Sequence, residues 1–106
     1  MKPVVQSAAA ASDIRQAVEY YRNQATTEIA MAFIDAVEQA VERISTWPAS
    51  GSTRFAEILD LPDLQSVALS RFPYIVFYVD QPDHVDVWRI LHGLRDIPPL
   101  LHENLP

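Results

Sequence analysis

The sequence predicts an α+β domain in the order β-α-α-β-β-β, a helical hairpin packed on one face of a small, mainly antiparallel sheet. Three observations carry that prediction. Apolar residues recur every three or four positions from Ala11 to Trp47, the spacing of helices with one buried face. From Leu64 to His92 the pattern changes to alternation, the signature of strands. At 106 residues the chain can close one core and has no comfortable room for two, so a single domain spanning 1–106 is expected.

Pro3 to Gln6 is a short β-branched segment read as a first strand, and Ser7 stands where a helix N-cap is wanted. In the helix that follows, Ala11, Ile14, Val18 and Tyr21 step by 3, 4 and 3 onto one face. Thr26-Thr27-Glu28 supplies a cap and an acidic first turn for a second helix, in which Ile29, Phe33, Val37, Ala40, Ile44 and Trp47 line one side until Pro48 ends it. So few residues separate the helices that they must fold back on each other. Pro48 to Asp63 reads as a connection with one helical turn around Phe55 to Leu59. Three strands follow, Leu64–Phe72, Tyr74–Asp80 and Val85–His92, joined by links short enough for an antiparallel meander. Tyr74 to Val79 is apolar on both faces, as a central strand must be. In the last strand, alternation sets Val85, Val87 and Leu91 opposite Trp88 and Ile90. The neighbour of the first strand is left open.

Composition narrows the function. The net charge is −6, with 8 basic against 14 acidic residues, which argues against binding a phosphate backbone. Seven of the cationic residues are arginines, suited to forked contacts with carboxylates. The absence of cysteine excludes disulfides, thiol catalysis and cysteine-based zinc sites. No apolar stretch approaches the ~20 residues of a membrane span, and the N-terminus lacks the apolar core of a signal peptide, so a cytoplasmic location is expected. No cofactor is implied.

Polar residues gather at the end of the last strand, in His92-Gly93-Leu94-Arg95-Asp96. Charged residues flanking a turn usually satisfy local backbone groups, so the first reading is a conformational device, with Gly93 letting the chain leave the strand and Arg95 pairing with Asp96. The alternative is that Arg95 binds a target. Arg71 and Arg89 are read on adjacent strands and on one face, either as an anion clamp or as partners of Asp86, Asp80 or a helix carboxylate. His84, His92 and His102 do not converge as metal ligands, so no metal site is expected. Tyr20, Tyr21 and Trp47 fall on the helical core pattern and read as packing rather than as a base-stacking platform. If helices cover one sheet face only, either Trp88 or its opposite neighbours are left for a partner.

Taken together, Ala-Ser-Asp-Ile with Ala-Val-Glu-Tyr-Tyr in the first helix, Trp47-Pro48 with Gly51 at the exit of the second, Arg71-Phe72-Pro73-Tyr74-Ile75-Val76-Phe77-Tyr78, and the terminal His92-Gly93-Leu94-Arg95-Asp96-Ile97-Pro98 make the chain resemble the ParE branch of the RelE/ParE toxin superfamily. The resemblance runs almost end to end. It implies the toxin of a type II toxin-antitoxin, or plasmid stabilisation, system. The implied partners are a ParD-like antitoxin, forming a hetero-oligomer, and DNA gyrase, inhibited by protein–protein contact without catalysis and without direct nucleic-acid binding. In the RelE-like branch of ribosome-dependent mRNA endonucleases, cationic groups and a C-terminal tyrosine carry the chemistry. Aligned on the strand motifs, the central-strand arginine of that branch is Tyr74 here, its tyrosine falls at Leu101, its lysines have no counterpart and Arg95 alone remains. Candidate target or antitoxin contacts are Arg71, Trp88, Arg89, His92, Arg95, Ile97, Leu100 and Leu101. Two alternatives stay open: a residual mRNA endonuclease using Arg95 and His92, and an inactive relative that serves only autoregulation with its antitoxin.

Overall fold

One serine sets where the first strand ends and the first helix begins. Ser7 Oγ accepts the Ala10 N–H at 2.9 Å, capping the helix, and donates to the Trp88 carbonyl at 2.7 Å, fastening that cap to the last strand. The structure is a computed structural model and describes residues 1–97. Its elements are β1 (Val4–Gln6), α1 (Ala8–Gln24), α2 (Thr27–Thr46), a 3₁₀ turn at Pro48–Ser50, α3 (Arg54–Leu59), β2 (Leu64–Ala68), β3 (Tyr74–Asp80) and β4 (Val85–His92). The expected α+β order is observed, with α3 as the helical turn foreseen in the connection.

The four strands lie in the order β1-β4-β3-β2. β2, β3 and β4 pair antiparallel, whereas β1 runs parallel to β4 at the sheet edge, with Val4, Val5 and Gln6 opposite Val85, Asp86 and Val87. β3 is paired on both sides and covered on both faces. Towards the helical hairpin, Tyr74, Val76 and Tyr78 join Phe33, Ala36, Val37, Ala40 and Ile44 of α2 and Ala10 and Ala17 of α1. Towards α3, Phe77 packs with Phe55, Leu59, Leu64, Leu91 and Ile97.

Four details differ from the sequence reading. First, α1 buries Ala10 and Ala17, with Ile14, Val18 and Tyr21 partly covered, so its contact stripe is centred one residue away from Ala11. Second, Trp47 lies just past the end of α2 and is 66% exposed, Tyr20 and Ile29 also face solvent, and none of the three belongs to the core. Third, Arg71 stands in the turn between β2 and β3 with φ of 70°, and β3 separates β2 from β4, so Arg71 and Arg89 are neither on adjacent strands nor paired on one face. Fourth, the register of β3 and β4 shifts: Phe77 pairs with Arg89 but Tyr78 pairs with Val87, leaving Trp88 as an extra residue, a β-bulge. The bulge reverses the alternation. Val85, Val87 and Ile90 face the helices, while Leu91 and Trp88 face α3.

Tyr78 ties the long connection to the sheet. Its hydroxyl donates to the Pro48 carbonyl at 2.8 Å and approaches Gln65 Oε1 at 3.3 Å, and burial pushes its pKa up. Gly51 lies against that hydroxyl so closely that an added Cβ would collide with it.

Candidate functional site

β1 pairs with β4 only as far as Val87, so the edge of β4 from Trp88 to His92 has no neighbouring strand. Backbone groups on such an edge need partners. Two carboxylates supply them. Asp13, one turn into α1, accepts the Ile90 N–H at 3.0 Å, and Asp96, just past the strand, accepts the His92 N–H at 2.8 Å. Asp13 also receives the fork of Arg89, from Nε at 2.7 Å and from one terminal nitrogen at 2.9 Å, and its side chain is only 10% exposed. That hydrogen bond raises the Arg89 pKa against the opposing effect of burial.

At the strand's end a second cluster forms. Arg95 Nε lies 3.1 Å from Asp96 Oδ1, and a terminal nitrogen of Arg95 reaches the Tyr74 hydroxyl at 3.3 Å. Both contacts, first Asp96 and then Tyr74, raise the Arg95 pKa. His92 Nδ1 accepts the Leu94 and Arg95 N–H groups, each at 3.1 Å, which places its proton on Nε2, and the ring stands edge-on to Tyr74. The conformational reading of this motif therefore holds, with one amendment. Gly93 has no positive φ, and a Cβ there would meet only ordinary contacts, so the exit does not depend on glycine.

Asp96 makes this corner sensitive to acid. Burial alone would raise its pKa, but the Arg95 hydrogen bond and the His92 N–H together hold it below the ordinary value. A carboxyl lowered on folding contributes stability that is fully present above its unfolded pKa and lost as pH falls through the folded one. The stability gap between wild type and Asp96→Asn, read by urea unfolding, is expected to narrow as pH falls from about 6 to about 3. A gap constant across that range contradicts the role given to the carboxylate.

Between α1 and the open half of β4 lies a pocket of about 450 Å³ lined by Asp13, Gln16, Tyr20, Tyr74, Arg89 and Arg95, among others. The fold thus brings together Arg89 and Arg95, whereas His92 does not line the pocket and stands edge-on to Tyr74. It does not bring Arg71, which sits beside α2, next to Asp35 and Gln39. Trp88 and Ile97 lie on the opposite sheet face, where Trp88 packs edge-on against Phe77 and Ile97 is buried in the α3 cluster. Leu100, Leu101 and His102 fall outside the described residues. Asp13 was missed except as an unnamed helix carboxylate, and the available clue was its spacing from Ala10 and Ala17, which sets it beside the buried stripe of α1. Each arginine in the pocket is matched by a carboxylate, and among the described residues no three His, Asp or Glu side chains form a group able to hold a metal. No helix among the described residues is long and apolar enough to cross a membrane.

A family model described as "ParE toxin of type II toxin-antitoxin system, parDE" matches residues 4–97. The chain belongs to the ParE toxin family. The fold agrees with that of a solved structure described as "Chromosomal ParDE TA system from P. aeruginosa", with a TM-score of 0.72 at 16% identity, covering 87% of this chain and 96% of that one. A search of curated proteins found no match. As a ParE toxin, the chain is the toxin component of a type II toxin-antitoxin system.

Proposed function

We propose that this ParE toxin acts by occupying a surface of DNA gyrase, without a hydrolytic step, and that a ParD-like antitoxin neutralises it by tight binding in the cytoplasm. The observation that carries this reading is the state of the two positions where a nuclease of the superfamily would need cationic chemistry. Tyr74 is buried, with its hydroxyl turned to Arg95, and Arg95 is itself hydrogen-bonded to Asp96. A guanidinium matched by a carboxylate offers little net charge to a scissile phosphate, and the chain's overall charge of −6 opposes approach to RNA. Arg95 keeps half of its side chain in solvent and neighbours the exposed Leu94, which makes this corner the favoured target contact, with Arg71 a second exposed guanidinium. The ParDE structure with the same fold supports the choice of antitoxin class.

Induced expression of the chain alone is expected to arrest bacterial growth, co-expression of its antitoxin to restore it, and purified protein to inhibit gyrase supercoiling. Arg95→Ala is expected to weaken that inhibition by roughly tenfold or more. Primer extension on messages from arrested cells separates this reading from its rival. Cleavage within translated mRNA that disappears in Arg95→Ala overturns the binding mechanism.

A further inference from the structure

The open half of β4 covers its amides with carboxylates and shows guanidinium groups in their place. Asp13 takes the Ile90 N–H and holds Arg89, while Asp96 takes the His92 N–H and holds Arg95. Those two amides are two residues apart on one side of an extended strand, a repeat of about 7 Å, so the ion pairs are anchored at the same-side spacing of a peptide chain. In each pair the carboxylate is the more covered partner. Each guanidinium is bonded through Nε and one terminal nitrogen, which leaves its second terminal nitrogen without a partner among the described residues. An acceptor lies between the two amides. A residue of an antiparallel strand points its N–H and C=O to the same side, so the Ile90 carbonyl faces the pocket with the N–H that Asp13 accepts, and no hydrogen bond reaches it among the described residues. The half-exposed ring of Tyr20 lines the pocket from α1.

Donors at a peptide's own repeat, an acceptor between them and charges that cancel in pairs match a main chain rather than an ion. Resting on the reading that this toxin acts on gyrase, we propose that the pocket receives an extended, uncharged segment of gyrase. Its carbonyl oxygens accept from the unpaired nitrogens of Arg89 and Arg95, one of its N–H groups donates to the Ile90 carbonyl, and an apolar side chain lies on the Tyr20 ring. Charge decides against other occupants. A phosphate or carboxylate would meet Asp13 and Asp96 beside the guanidiniums, and a lysine or arginine would meet the guanidiniums first. A second copy of this chain would bring a further net charge of −6 to the contact.

Gyrase supercoiling assays with purified full-length toxin test the idea. Gln16 lines the pocket from the exposed surface of α1, so Gln16→Trp fills the space without altering the ion pairs or the core. It is expected to raise the toxin concentration needed for inhibition by roughly tenfold or more, and Tyr20→Ala by about threefold. Circular dichroism and thermal unfolding check that both variants are folded. A photoreactive benzophenone side chain introduced in place of Tyr20 gives a second readout: mixed with intact gyrase, it is expected to crosslink to one short segment free of charged residues. Inorganic phosphate titrated into unmodified toxin is expected to leave the side-chain NMR signals of Arg89 and Arg95 unmoved. Full potency in Gln16→Trp, no crosslink in a mixture where gyrase is inhibited, a crosslink to a charged segment, or a saturable phosphate shift overturns the proposal and leaves the gyrase reading intact. No inhibition of gyrase by unmodified toxin overturns both.

Discussion

Phe33→Ala is expected to lower stability by about 3–5 kcal/mol, the largest effect of any substitution considered. Phe33 has no solvent exposure, and its ring lies 5.5 Å from Tyr21, 5.4 Å from Phe72 and 5.1 Å from Tyr74, so truncation opens a void where α1, α2 and the start of β3 meet. The flanking rings cannot collapse into that space without leaving their edge-to-face arrangement. For a domain of this size the melting temperature should fall on the order of 20 °C, and Phe33→Leu, which keeps most of the volume, should lose about a third as much. Thermal and urea unfolding of both variants check this. A loss below about 1 kcal/mol for alanine would mean that the aromatic cluster is not the centre of the core.

Asp13→Ala is expected to cost about 2–3 kcal/mol. The substitution removes both bonds of the Arg89 fork and the acceptor of the Ile90 N–H on the open edge of β4. The Arg89 side chain is one-third exposed and can turn to water, so the larger share of the cost belongs to the stranded N–H against α1. Asp13→Asn, which keeps an acceptor oxygen, should recover about half of the loss. A double-mutant cycle with Arg89→Ala isolates the ion pair, with an expected coupling of about 1 kcal/mol. Alanine and asparagine variants of equal stability would show that the carboxylate does not serve the strand edge.

How much of this could be read beforehand depended on how many residues spoke for each feature. α2 announced itself because Phe33, Val37, Ala40 and Ile44 repeat one spacing over several turns, and β3 was legible as central because Tyr74 to Val79 is apolar on both faces. β1 has three residues, too few for a period, and its parallel partner lies about eighty residues away in sequence, so pairing could not be inferred from turn length. The turn at Arg71 was hidden because a left-handed backbone conformation is rare for a residue with a side chain. At the site, the pairing of Arg95 with Asp96 was visible as neighbours in sequence, whereas Asp13 and Arg89 are 76 residues apart and no local rule joins them. Reading Leu91 on the Val85 face failed because alternation assumes an unbroken pleat.

That broken pleat has an evolutionary side. With Trp88 unmatched in β3, the side of the sheet on which each later residue of β4 emerges is fixed by counting rather than by side-chain character. Deleting Trp88 would make the pairing continuous, with Arg89 following Val87, while Ile90 and Leu91 keep their partners on β3 and their faces. A sheet built this way can lose a single codon at that point and still hold the tip that carries Arg95 where it stands.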